Sequence, residues 1–147
     1  MSYTKYSMAT IAQQSTDLRM ATFRLARRIR AQRVDEGLSD AQMAALGVVY
    51  RHGTQTLSSL AEHERVSAPS MNRTVNCLEE SGYVARIVDE VDRRKTNISL
   101  TDAGRDIVTA TLSKRDEWLT TRLRELSKED RAVLARAAEL MGGLATT

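Results

Sequence analysis

The sequence predicts a mainly helical chain with one small β-hairpin, and three observations carry that prediction. A single proline, Pro69, stands among 147 residues, so the helical stretches meet almost no obligate breaker. Apolar or small residues recur at alternating steps of three and four through both ends of the chain, which is the spacing of one helix face. Only two short β-branched runs, residues 83–88 and 96–100, alternate as strands do. A chain of this length is expected to form one protomer with a single cooperative core and attached lobes.

From Met8 to Arg33 the seam Ile11, Ser15, Leu18, Thr22, Leu25 and Ile29 predicts a long first helix. Its other faces carry Arg19, Arg24, Arg27, Arg28, Arg30 and Arg33. Gly37 and Leu38 close the segment, and Ser39 is placed to cap a second helix that buries Met43, Leu46, Val49 and Tyr50 before Gly53 ends it. The polar stretch 54–56 is read as a connection.

Residues 57–82 read as two short helices around a tight turn at Glu64-Arg65-Val66. Ala61 supplies the small residue such a crossing needs, and Val66 and Met71 are expected to fill its angle. A non-glycine residue in a left-handed turn costs about 1 kcal/mol. Ser67 caps the second helix, Pro69 sits in its first turn where no N–H is required, and Gly82 stops it. At 100° per residue Met71, Val75 and Leu78 share one arc, with Pro69, Arg73, Asn76 and Glu80 opposite. The hairpin follows, its two arms separated by the charged segment DEVDRRK.

Thr101 caps a fifth helix with Ile107, Ala110, Leu112, Leu119, Leu123 and Leu126 as its apolar positions. Ser127 followed by Asp130 opens a last helix with Val133, Leu134, Ala137, Leu140 and Met141 inward. This order is a winged helix-turn-helix head over residues 39–101, with a helical dimerisation lobe from residues 1–38 and 102–147. The lobe's apolar seam exceeds what a small head can cover, so the surplus is expected to bury against a second copy.

Bulk charge does not explain such a head. The net charge is +3 and the pI about 9.3. Residues 1–39 hold seven Lys/Arg against three Asp/Glu, whereas residues 54–101 hold six against seven. Recognition must therefore rest on local placement. Ser67, Ser70, Asn72, Arg73 and Asn76 can hydrogen-bond base edges or phosphates from a helix in a major groove. Asp92-Arg93-Arg94-Lys95 puts three cations beside one acid on the hairpin tip, suiting an arginine in a minor groove with a carboxylate to hold it.

Other chemistries lack a starting motif. His52 and His63 belong to no ligand-spaced cluster, so no metal is expected. There is no phosphate-cradling glycine loop, nucleophile elbow or triad, which argues against an enzyme and leaves no cofactor implied. The single Cys77 excludes an internal disulfide framework. No apolar run reaches the ~20 residues that span a bilayer, and MSYTKYSMATIAQQ lacks the apolar core of a signal peptide, so a cytoplasmic protein without membrane contact is expected.

The segment LSSLAEHERVSAPSMNRTVNCLEESGYVARIVDEVDRRKTNISLTDAG resembles the MarR family of winged-helix regulators. Its most specific pieces are DRR followed shortly by LTDAG, and the LEESGYV phrase between recognition helix and wing. The resemblance implies a homodimer on a pseudo-palindromic promoter site, acting as a repressor and released by a small, phenolic ligand. It makes Ser70, Asn72, Arg73 and Asn76 the major-groove set, Arg94 the wing-tip arginine and Asp92 its partner. Phe23, Met43, Leu46, Tyr50, His52 and Trp118 become places for an aromatic effector. Some relatives sense peroxide through a cysteine early in the first helix, which this chain lacks; an alternative is a redox response through Cys77, expected to be semi-buried. A second alternative, motivated by the acidic balance of the head, is a winged-helix adapter that binds protein and reads no DNA.

Overall fold

A computed structural model describes residues 9–146. The predicted helix start at Met8 lies outside those residues. The chain divides into two compact units, one drawn from its two ends, up to Gln32 and from Glu117 onward, the other spanning Arg33–Asp116. The second unit takes in Arg33–Leu38 and the fifth helix as far as Asp116, as well as residues 39–101.

In the head, α2 (Asp40–His52) begins at a full capping box: Ser39 Oγ accepts from Gln42 N, and Gln42 Oε1 accepts from Ser39 N. Arg33 reaches over this start, donating to the Leu38 carbonyl and pairing with Asp40. Met43, Leu46 and Val49 are buried as predicted, Tyr50 half-buried. After Gly53 comes a strand the sequence did not announce, β1 (Gln55–Thr56). Thr56 then caps α3 (Leu57–Glu64), which buries Leu60 and Ala61.

The turn after α3 has the expected conformation. Arg65 sits at φ 54°, the one non-glycine residue with positive φ among those described. Val66 N donates to the Ala61 carbonyl and Arg65 N to that of Glu62, which closes the α3 carbonyls in a Schellman motif. Met71 fills the angle between the helices, but Val66 does not. It stays 41% exposed, at the position that follows the left-handed residue Arg65.

Ser67 Oγ caps α4 (Ala68–Glu80) by accepting from Ser70 N, and Met71, Val75 and Leu78 form its buried face. Gly82, at φ 80°, lets Tyr83 N return to the Leu78 carbonyl and starts β2 (Val84–Val88). That strand pairs antiparallel with β3 (Thr96–Leu100), and β3 also carries β1, giving a sheet of order β1-β3-β2. Val84 opposes Leu100 and Arg86 opposes Ile98. Cross-strand partners share a face, so Arg86 lies on the same side as the buried Ile98.

Thr101 fixes the start of α5 (Asp102–Arg124). Its hydroxyl donates to the Gly82 carbonyl at 2.6 Å and accepts from Gly104 N, while Thr101 N donates to the Tyr83 carbonyl. A Cβ at Gly104 would lie 2.0 Å from that same carbonyl oxygen, so only glycine permits this approach. In the head, α5 buries Gly104, Val108 and Thr111, with Ile107 half-buried. The predicted Ala110 and Leu112 are exposed instead, because the close approach at Gly104 turns the i, i+4, i+7 row inward.

The other unit holds α1 (Ile11–Arg30), the end of α5 and α6 (Lys128–Ala145). Thr10 and Ser127 cap their helices. Neither α1 nor α6 has a buried residue. Val133, Leu134, Leu140 and Met141, predicted inward, are exposed, as are Ile11, Leu18, Phe23 and Leu25. Three helical segments within one chain offer too little surface to cover both seams. Ser15, Leu18, Thr22, Phe23, Met141 and Leu144 line an open apolar groove of about 410 Å³.

Candidate nucleic-acid interface

The outer face of α4 is polar, with Arg73 its one cation. Asn72, Arg73 and Asn76 are exposed, and Ser70 is half-buried. Ser67, predicted in the same set, lies at the helix start with its oxygen accepting the cap bond. Glu79 and Glu80 stand at the far end, away from the first turns. Cys77 is exposed rather than semi-buried, since the inward row of Met71, Val75 and Leu78 leaves it outside.

The wing loop is organised by two carboxylates. Asp89 Oδ1 accepts from Val91 N at 2.8 Å and Asp92 N at 2.9 Å, and its Oδ2 accepts from Asn97 Nδ2 at 3.1 Å. These bonds, the Asp92 amide first, then the Asn97 amide group and the Val91 amide, hold the Asp89 carboxyl below its ordinary range. Asp92 in turn accepts from Arg94 Nε and Arg94 N, each at 3.1 Å. The Arg94 side chain and then its amide lower the Asp92 carboxyl as well. Arg93 and Lys95 are exposed on the same loop.

Two residues join this surface that sequence reasoning did not select. Arg86, on β2, donates through Nη2 to Asn72 Oδ1 at 2.9 Å and lies 3.9 Å from Glu79. Asp89, which looked like a dilution of the positive tip, is the frame on which the loop is folded. Its spacing, an aspartate two and three residues before the amides it accepts, is a local turn signal that could have marked it.

The effector candidates fall in several environments. Met43 and Leu46 are packed in the head's core, closed to a ligand unless that core opens. Tyr50 is half-buried with the Arg105 guanidinium 5.8 Å from its ring centre. His52 is exposed and stacks on His63 at 5.0 Å. Phe23 is exposed beside the α1 and α6 groove, and Trp118 lies under the Arg122 guanidinium at 3.6 Å. Among the described residues no three of His, Cys, Asp or Glu come together as metal ligands, and no helix is long and apolar enough to cross a membrane.

Comparison with known proteins identifies this arrangement. Residues 38–96 match the model of the MarR family. The Mycobacterium tuberculosis HTH-type transcriptional regulator MT0903.1 is 35% identical over 130 residues, covering 88% of this chain and 91% of that protein. The HTH-type transcriptional repressor MdtR of Bacillus subtilis is 27% identical over 143 residues, covering 90% and 92%. Among solved structures, a mutant of Staphylococcus aureus MepR bound to an oligodeoxyribonucleotide superposes with a TM-score of 0.69 at 25% identity, covering 89% and 97%. The reading of the head as a protein-only adapter is thereby set aside, and the chain belongs to the MarR family of DNA-binding transcriptional regulators.

Proposed function

We propose that the protein works as a homodimer that reads an inverted-repeat promoter site and represses transcription from it. The observation that carries the proposal is the bare apolar seam of α1 and α6, where Leu18, Phe23, Val133, Leu140 and Leu144 stand open in a single chain. Contiguous apolar surface of this kind is favourably buried, and a second copy offers the same seam by symmetry. Two-fold pairing would set two α4 helices about one DNA turn, ~34 Å, apart. Repression is favoured by MdtR, a repressor matched over 92% of its length.

Selection of random duplex DNA by the purified protein tests this reading. An enriched inverted repeat with half-sites one turn apart is expected, together with a dimer mass in sedimentation equilibrium. A monomer or a single unrepeated half-site would overturn the dimer. A reporter behind the selected site should fall in expression when the protein is supplied. We further propose release by a small aromatic ligand, with Phe23, Tyr50, His52 and Trp118 each to be tested on its own as a contact. Trp118 is the sole tryptophan, so titration with a simple phenolic carboxylate should change its fluorescence in step with loss of DNA binding.

A further inference from the structure

Arg86 occupies an unusual position for a charged residue. Its register opposite Ile98 points it to the helix side of the sheet, and its side chain is only 26% exposed. There Nη2 donates to Asn72 Oδ1 at 2.9 Å and to the Asn72 main-chain oxygen at 3.4 Å, with Glu79 on its other flank. A guanidinium has donors and no acceptor, so the chemistry itself fixes which end of the Asn72 carboxamide faces the strand. The oxygen is turned toward Arg86. The Nδ2 group is the end turned away, and among the described residues it is the donor in none of the hydrogen bonds found.

We propose that Arg86 is a positioning residue that sets the base preference of Asn72, making it a donor-only reader of the major groove. The proposal rests on α4 entering that groove, as its family assignment and exposed polar face support. Purine N7, guanine O6 and thymine O4 accept a hydrogen bond there, whereas cytosine presents the N4 donor. An amide held with Nδ2 outward therefore meets adenine, guanine or thymine and opposes cytosine. An amide free to rotate can offer Oδ1 to cytosine and loses that discrimination.

The test is a base-preference profile from random-duplex selection with the full-length protein and three variants. Wild type should disfavour cytosine about tenfold at one position in each half-site. Arg86→Met keeps the aliphatic stem, removes the donor, and should bring cytosine within about threefold of the other bases. Arg86→Lys retains a donor to Oδ1 and should keep the wild-type profile. Asn72→Asp preserves the bond to Arg86 but has no donor, so it should turn the same position toward cytosine, which donates to carboxylates. This last variant keeps the proposal testable if Arg86→Met fails to fold. A folded Arg86→Met with an unchanged profile, or an Asn72→Asp profile equal to wild type, would overturn the role of Arg86. A wild-type profile lacking the inverted repeat counts instead against the dimer, and the cytosine position is then read at the single half-site.

Discussion

Arg94 Nε and Asp92 Oδ1 lie 3.1 Å apart at the wing tip, with the arginine side chain 91% exposed and the carboxylate 32% exposed. The acid thus restrains an arginine that remains open to a partner. A surface pair of this kind adds little to folding, so its value lies in pose.

Arg94→Ala should weaken DNA binding about tenfold on every sequence tested and reduce the salt slope by about one. Asp92→Asn keeps the Arg94 charge but loosens its hold, and an intermediate loss is expected. Arg73→Ala or Asn76→Ala should behave differently, shifting sequence preference by about 1–3 kcal/mol per lost base contact. Fluorescence anisotropy on a set of single-base operator variants distinguishes the two patterns. Unchanged affinity in Arg94→Ala would remove the wing from the interface.

The two wing carboxylates give a pH signature. Both Asp89 and Asp92 titrate below the ordinary carboxylate value, so their contribution to wing order is fully present above about pH 3.9 and is lost as pH falls through their lowered values. Amide shifts of Val91, Asp92 and Arg94 followed by NMR should therefore stay flat from neutrality to about pH 4. An inflection between about pH 5 and 6 would contradict the hydrogen bonds assigned to these groups.

Tyr83 marks the opposite end of the scale. Its hydroxyl donates to Asp35 Oδ2 at 2.7 Å, which raises the phenol and lowers the carboxyl. The phenol's contribution is complete below its ordinary value near 10 and disappears as pH rises through the elevated one. Ultraviolet titration should show a tyrosine ionising above the ordinary phenol range, absent in Tyr83→Phe. In that variant the Asp35 carboxyl should also move back toward its ordinary value.

Two backbone positions should respond in opposite directions. Arg65→Gly removes the strain of a left-handed non-glycine residue and is expected to raise stability by up to about 1 kcal/mol. Gly104→Ala drives a methyl group into the Tyr83 carbonyl and should cost about 1–3 kcal/mol or more. Thermal unfolding followed by circular dichroism reads both.

Cys77 offers a chemical check on α4. It is exposed next to Asn76 on the recognition helix, so attaching a bulky maleimide should abolish binding and bound operator DNA should protect the thiol. Modification of Cys77 with full retention of affinity would place that flank of the helix outside the interface.

What could be read in advance follows the range of each interaction. Ser39, Thr101 and Ser127 were legible as caps, and Gly82 as a stop, because their partners lie within a few residues. A wing arginine held by Asp92 was legible for the same reason, and the family resemblance singled out Arg94. The β1 strand was not, since two residues have no periodicity and its partner β3 lies some forty residues on. Arg86 and Asn72 are fourteen residues apart, and Asp35 and Tyr83 forty-eight. Nothing in either member of such a pair names the other. The inward face of α5 was not legible where apolar content stood in for contact: Leu112 is apolar yet exposed, because another row of the helix turns inward at Gly104.

The knot of bonds around Tyr83 has a mechanical consequence. Its amide closes α4, its carbonyl receives Thr101 and abuts Gly104, and the next residue, Val84, begins the first strand of the wing. Recognition helix and wing are thus two tines of one stiff fork. If α4 and the wing enter neighbouring grooves, such a fork would couple the two reaches. DNA whose grooves lie at another spacing would then have to bend to fit, and the stiffness of the non-contacted base steps would become part of what the protein reads.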